Sequence, residues 1–298
     1  MRKNKYMQFL LYVVLYPLLW IISILPFPVF YAFSDLVCFF TYRVFGYRIK
    51  TVRKNLEIAL PHLSVAEQKS IEKKFYSHMC DLFLEMIKTM TISKAEMDKR
   101  FVISNLSLMQ EIEQNGKSIA IMTSHYASYE WSISINNKLS HESFAIYKKI
   151  SNPYFDKLIR KIRSKFGATL INTKETIPTI ESNFAKGIKS IYGFASDQSP
   201  RASRAIHWDT FFGIETPVQT GAEILAKKYD MVMVYMHIKK VKRGYYECRF
   251  ELMSDNPKSV PDFELTTLFM RKVEAQILEA PEYYLWTHKR WKHKRQVS

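Results

Sequence analysis

Residues 118–131 read SIAIMTSHYASYEW. The first half, SIAIMTS (118–124), is a short apolar run bounded by polar residues, the pattern of a strand buried on both faces of a parallel sheet. The second half reads as a helix running to about Leu139. It carries His125 and Glu130 with nothing charged between them. A strand that ends in a titratable pair and turns into a helix is one βα unit.

The unit recurs downstream. SFAIYK (143–148), ATLINT (168–173) and SIYGFAS (190–196) read as strands, separated by an amphipathic helix over 152–167 that stops at Gly167 and by a second helix, TIPTIESNFAKG. A helix is expected over 217–230, a strand over 231–240, its antiparallel partner over 243–252 and a helix over 261–280. Four βα units and a hairpin predict an α/β fold, a mostly parallel mixed sheet flanked by helices. Upstream, residues 51–92 have helical periodicity, broken at Pro61 and restarted near Ser64.

Ligands of an open parallel sheet gather at the carboxyl ends of its strands. The groups that follow the strands here are His125 and Glu130; Tyr147, Lys148 and Lys149; Lys174; and Asp197, Gln198 and Arg201. Residues five apart on a regular helix lie about 140° apart, so His125 meets Glu130 only from the turn before the helix. Glu130 would then fix the imidazole tautomer, as in the His–acid half of a triad. No nucleophile completes it, because Ser124 is not in a GxSxG elbow. The base would therefore activate a hydroxyl of the substrate. Taken alone, the HxxxxE spacing is a weak signal, and a histidine capping a helix beside a solvated glutamate also fits it.

Composition narrows the partners. Lys plus Arg is 44 against 28 Asp plus Glu in 298 residues, a formal charge of +16, which favours anionic partners. Three distant cysteines argue against a disulfide framework or a thiolate zinc site. There is no GxGxxG, no P-loop and no recognised nucleic-acid motif. Between Lys5 and Arg43 the only charge is Asp35, and Met7–Phe33 is uncharged, ample for a bilayer. Pro26 and Pro28 should break it, and basic residues flank both ends, as in an interfacial or re-entrant hairpin. Residues 1–42 are thus expected to anchor a domain formed by residues 43–298. His62 and His78 read as surface or packing residues, His237 as structural within its strand, and His207 and Trp208 as a loop near the site. His288 and His293 fall in WTHKRWKHKR, a cationic aromatic tail whose Lys289, Arg290 and Lys292 are expected to touch headgroups or a carrier protein.

HYASYE (125–130), YKKISNPYFDKL (147–158), RSKFGA (163–168), DQSPR (197–201), FFG (211–213), PVQTGAEILAKK (217–228) and APEYYLWTHKRWKHKR (280–295) occur in this order. The series resembles the late acyltransferases of lipid A biosynthesis, the lauroyl/myristoyl transferase family, over almost the whole chain. The resemblance implies a glycerolipid-acyltransferase-like fold and an enzyme on the cytoplasmic face of the inner membrane. It implies acyl-acyl carrier protein as donor, the 3-hydroxyl of a primary acyl chain on a lipid A precursor as acceptor, and neither cofactor nor metal. The family's catalytic pair maps onto His125 and Glu130, its basic residue onto Arg163 and its DQ pair onto Asp197 and Gln198. Lys148 and Lys149 join Arg163 as oxyanion or phosphate ligands, and Tyr147, Asn152 and Arg201 join the DQ pair as substrate contacts. Ser128 and Tyr129 stand where many members have Asn and Trp. Lys148 replaces an arginine and cannot make its bidentate contact, so another glycolipid, an aminolipid or an aryl lipid stays open as acceptor. A non-catalytic basic membrane adaptor is a further reading, which the ordered strand-end groups oppose.

Overall fold

The computed structural model describes residues 2–295. Its helices and strands, in chain order, are α1 (Arg2–Ile24), α2 (Phe27–Cys38), α3 (Ile49–Ala59), α4 (Val65–Lys88), α5 (Lys94–Arg100), β1 (Phe101–Ile103), α6 (Leu106–Gln114), β2 (Ile119–Thr123), β3 (Glu142–Tyr147), α7 (Pro153–Arg163), β4 (Thr169–Asn172), α8 (Thr176–Ala185), β5 (Ser190–Ala195), β6 (Trp208–Phe211), β7 (Ile214–Pro217), α9 (Gly221–Lys228), β8 (Val232–Lys242), β9 (Tyr245–Ser254) and α10 (Glu264–Glu279).

Seven strands form one sheet in the order β1-β9-β8-β2-β5-β3-β4, and β6 and β7 form a separate hairpin. Within the large sheet every pairing is parallel except β8 with β9, the mixed α/β sheet predicted. Ile119 to Met122 of β2 are buried, as a central strand covered on both faces requires. The helical stretch breaks beside Pro61, and α4 restarts on a capping box: the Ser64 amide donates to the Glu67 carboxylate at 2.8 Å, and the Glu67 amide donates to Ser64 Oγ at 3.3 Å.

Two expectations need correcting. Residues 126–139 are not an α-helix. A turn holds Ala127 at φ +47°, and Trp131–Lys138 is 3-10 helix. The helix expected from 217 is α9, which starts at Gly221, because IETP pairs with WDTF as β7 and β6. β1 was not foreseen. His78 is buried at 3 % exposure, so of its two expected places only packing holds.

The N-terminal run breaks at Pro26, between α1 and α2. Among the described residues, Lys5–Ile24 is the helix long and apolar enough to cross a membrane; its mean hydropathy is 2.0 and it is 6 % buried. Phe27–Val44 and α3 pass the same test only as a pair bent by 88°. α1 touches the body near α7, where Phe9 and Tyr12 pack on Tyr154 at ring separations of 5.2 and 5.7 Å. α2 is bound more firmly: Tyr31 donates to Glu85 and Ser34 to Asp81, both at 2.8 Å.

Candidate active site

Parallel register builds the centre of the site. Thr123 at the end of β2 lies opposite Ala195 at the end of β5. Two residues further on, on the same face, come His125 and Asp197. Their side chains meet at 2.7 Å between Nδ1 and Oδ1. A carboxylate only accepts, so Nδ1 carries the proton and Nε2 presents its lone pair.

Asp197 is 1 % exposed. Burial would raise its pKa, but the imidazole and the backbone amides of His125 and Asp197 outweigh it and hold the pKa below the ordinary value. For His125 burial again opposes the charge, and Asp197 and then Glu130 overcome it, leaving the pKa raised. The Tyr129 ring packs edge-on to the imidazole at 5.0 Å.

Glu130 does not bond the histidine. Its carboxylate receives Arg163 Nε at 2.9 Å and Nη2 at 2.5 Å, a bidentate pair. The expected His125–Glu130 contact is therefore a His125–Asp197 contact beside a Glu130–Arg163 pair. Arg163 comes from the last turn of α7, and the turn after His125 aims Glu130 at it. Arg163 is not a free phosphate fork, since two of its three nitrogens are engaged.

His125, Glu130 and Arg163 line a cavity of about 510 Å³, within the range of ligand pockets. Its walls are mostly apolar: Ile121, Ala145, Ile191, Gly193 and Ala195 from the sheet, Phe83 and Met86 from α4, and Ile133 and Ile135 from the 3-10 helix. Tyr147 and Lys148 line it too, with Lys148 and Lys149 exposed. The Ser132 hydroxyl at its wall donates to the Tyr129 carbonyl at 2.6 Å. Among the described residues no cluster of three His, Cys, Asp or Glu could hold a metal.

Other expected site residues lie elsewhere. Asn152 caps α7, accepting from the amides of Tyr154 and Phe155 at 3.0 and 3.3 Å, so its oxygen is committed to structure. Gln198 and Arg201 follow Asp197 but do not line the cavity, and Arg201 is exposed. The C-terminal segment is not a solvated tail. Arg290 is 1 % exposed, donating to Thr216 Oγ1 at 2.8 Å and stacking over Phe211, so it cannot reach a carrier protein. Lys289 and Lys292 remain exposed.

That segment is a strap across the back of the site. The Leu285 amide donates to the His125 carbonyl at 3.0 Å, and the Ala127 amide to the Tyr283 carbonyl at 2.9 Å. Asn55 of α3 holds the strap in turn, donating to the carbonyls of Trp286 and His288, both at 2.7 Å. Tyr284 lies beside Asp197. Burial pushes the His288 pKa down to about 4, so it sits there neutral. The alternation of large aromatics with the charges in YYLWTHKRW was the available signal for burial; the charge run concealed it.

The family profile described as bacterial lipid A biosynthesis acyltransferase matches residues 1–293. The chain is 23 % identical over 279 residues to the lipid A biosynthesis lauroyltransferase of Escherichia coli (strain K12), covering 92 % of this chain and 89 % of that protein. It is 22 % identical over 283 residues to the palmitoleoyltransferase of the same strain, covering 92 % and 88 %. A lipid A biosynthesis acyltransferase of Haemophilus influenzae (strain ATCC 51907 / DSM 11121 / KW20 / Rd) is 22 % identical over 240 residues, covering 78 % and 72 %. With the match running through the sheet, the His125 turn and the C-terminal strap, the chain belongs to the bacterial lipid A biosynthesis acyltransferases and is an acyltransferase of lipid A synthesis.

Proposed function

We propose that the enzyme moves a fatty acyl group from acyl-acyl carrier protein to a hydroxyl of a lipid A precursor, at the cytoplasmic face of the inner membrane, without an acyl-enzyme. The observation that carries this reading is the His125–Asp197 pair, its aspartate buried and its imidazole opening onto an apolar cavity. Nε2 of His125 takes the proton of the acceptor hydroxyl as its oxygen attacks the thioester carbonyl. Asp197 holds the tautomer and stabilises the imidazolium. Arg163, fixed by Glu130 through Nε and Nη2, turns Nη1 to the developing oxyanion. As the tetrahedral intermediate collapses, the C–S bond breaks and His125 returns the proton to the departing thiolate. The acyl chain lies in the cavity. Exposed Lys148 and Lys149 at its mouth attract the acceptor's phosphates, and the net charge of +16 favours an acidic carrier. Two of the relatives named above are a lauroyltransferase and a palmitoleoyltransferase, so chain length must be sought in this cavity itself.

The test is transfer of labelled acyl groups from acyl-acyl carrier protein to a lipid A precursor. His125→Ala should lose about 10²–10⁴-fold, and donor alone should leave no label on the protein. Stable stoichiometric label without acceptor would replace direct transfer by an acyl-enzyme.

A further inference from the structure

Gly193 is an unusual glycine in this chain. Gly46, Gly116, Gly167, Gly187, Gly213 and Gly244 all have positive φ, where glycine is the natural residue. Gly193 has none of that need. It sits inside β5, between Ile121 of β2 and Ala145 of β3 in register. Glycine weakens a strand interior, and its presence there marks close approach of another group. No backbone makes that approach: a Cβ built on Gly193 would have Phe144 O, at 3.8 Å, as its nearest atom, an ordinary contact. What faces the missing side chain is the cavity.

The position along the strand matters. Ala195, Gly193 and Ile191 share one face of β5, with Asp197 two residues beyond its end, and the three line the cavity in that order away from the dyad. Gly193 lies four residues from Asp197, about 13 Å at 3.3 Å per residue. An extended alkyl chain with C–C bonds of about 1.5 Å advances roughly 1.3 Å per carbon. An acyl chain running down the strands from His125 therefore passes Gly193 at about its tenth carbon. We infer that Gly193 is the chain-length determinant of the enzyme: its bare backbone is the gap through which the distal part of a long acyl chain passes towards Ile191 and Ser143. The inference rests on the reading of the cavity as the acyl site.

The experiment uses the full-length enzyme and two readouts. Turnover is measured with acyl carrier protein charged from octanoyl to hexadecanoyl, and thermal stabilisation with free fatty acids of the same lengths. Gly193→Val should cut kcat/KM for dodecanoyl and longer donors about tenfold or more, the order expected of overpacking a filled site, while octanoyl transfer stays within about twofold. Gly193→Ala, whose Cβ fits, should keep the melting temperature and shift the preferred chain in the same direction by less. The fatty acid that stabilises best should shorten in parallel. A chain-length profile unchanged in both variants, or a fall equal for every donor, overturns the assignment. If no carrier-bound donor is used but the fatty-acid preference still shortens, the donor reading falls and the role of Gly193 stands.

Discussion

His125 lies near two carboxylates, and the difference between them is testable. Asp197 bonds the ring, whereas Glu130 bonds Arg163. Asp197→Asn should cost about 10²–10⁴-fold in kcat, because the wrong tautomer is then favoured. Glu130→Gln should cost less through the histidine and more through a loosened Arg163. Steady-state kinetics with a pH profile separate them. The raised pKa of His125 makes the neutral base scarce at low pH, so kcat/KM should climb with pH through an apparent pKa above 6.5 and then level. Asp197→Asn removes the leading charge that raises this pKa and leaves burial, which lowers it, so the acid limb should move to lower pH. An unmoved limb would mean that Asp197 does not govern the base. Arg163→Lys keeps a charge but loses the fork, and should lower kcat by about tenfold or more. The pairing was hidden in the sequence for a topological reason. Both residues were visible as strand-end groups, but His125 and Asp197 lie 72 residues apart, and the register of β2 with β5 becomes readable only once the strand order is known.

At the scale of elements, the buried strands were legible because uninterrupted apolar runs ended at turn residues, and the β8–β9 hairpin because a short connection, KKVKRG, joins the strand to YYECRFEL. The β6–β7 hairpin was not, because WDTF and IETP show no clean alternation. Nor was the turn after β2, where the backbone is set by the strap and not by local propensity: the Tyr283 carbonyl holds the Ala127 amide while Ala127 occupies left-handed space. Several side chains hold the strap, Arg48 donating to the Thr287 carbonyl at 2.9 Å among them, and Asn55 makes two of the bonds. Asn55→Ala would leave the buried carbonyls of Trp286 and His288 without that donor, at a cost of about 1–3 kcal/mol for an unsatisfied group. It should lower the melting temperature and also kcat, since Leu285 bonds the His125 carbonyl. A loss of stability with full kcat at low temperature would show that the strap only holds the fold.

For the whole molecule the question is where the membrane-facing part ends. An anchor of residues 1–42 followed by a domain of residues 43–298 would cut α2 away from the body it packs on. Yet α2 supplies Tyr31 and Ser34 to the buried carboxylates of Glu85 and Asp81, and Asp35 to Arg243 at 2.6 Å, which also grips Asp81 at 2.7 Å. The end of α1 is also held, since Lys88 donates to the carbonyl of Ser23 at 2.8 Å. Before Ser23, α1 exposes Met7, Leu10, Leu11, Val14 and Leu18, an apolar surface that fits lipid. We therefore propose that the separable anchor stops near residue 20. Deleting residues 1–19 should release the enzyme from membranes in mild detergent while its melting temperature stays close to that of the full chain, because this segment grips the body mainly through Phe9 and Tyr12 packed on Tyr154 and Phe155. Deleting residues 1–42 should instead take the Ser34 and Tyr31 hydroxyls from the buried carboxylates of Asp81 and Glu85, about 1–3 kcal/mol for each lost bond, and bare the face of α4 that α2 covers, so the product should aggregate. Fractionation and thermal unfolding of the two truncations decide the point: equal stability for both would return the boundary to residue 42, and full-length protein released by salt alone would remove α1 from the bilayer.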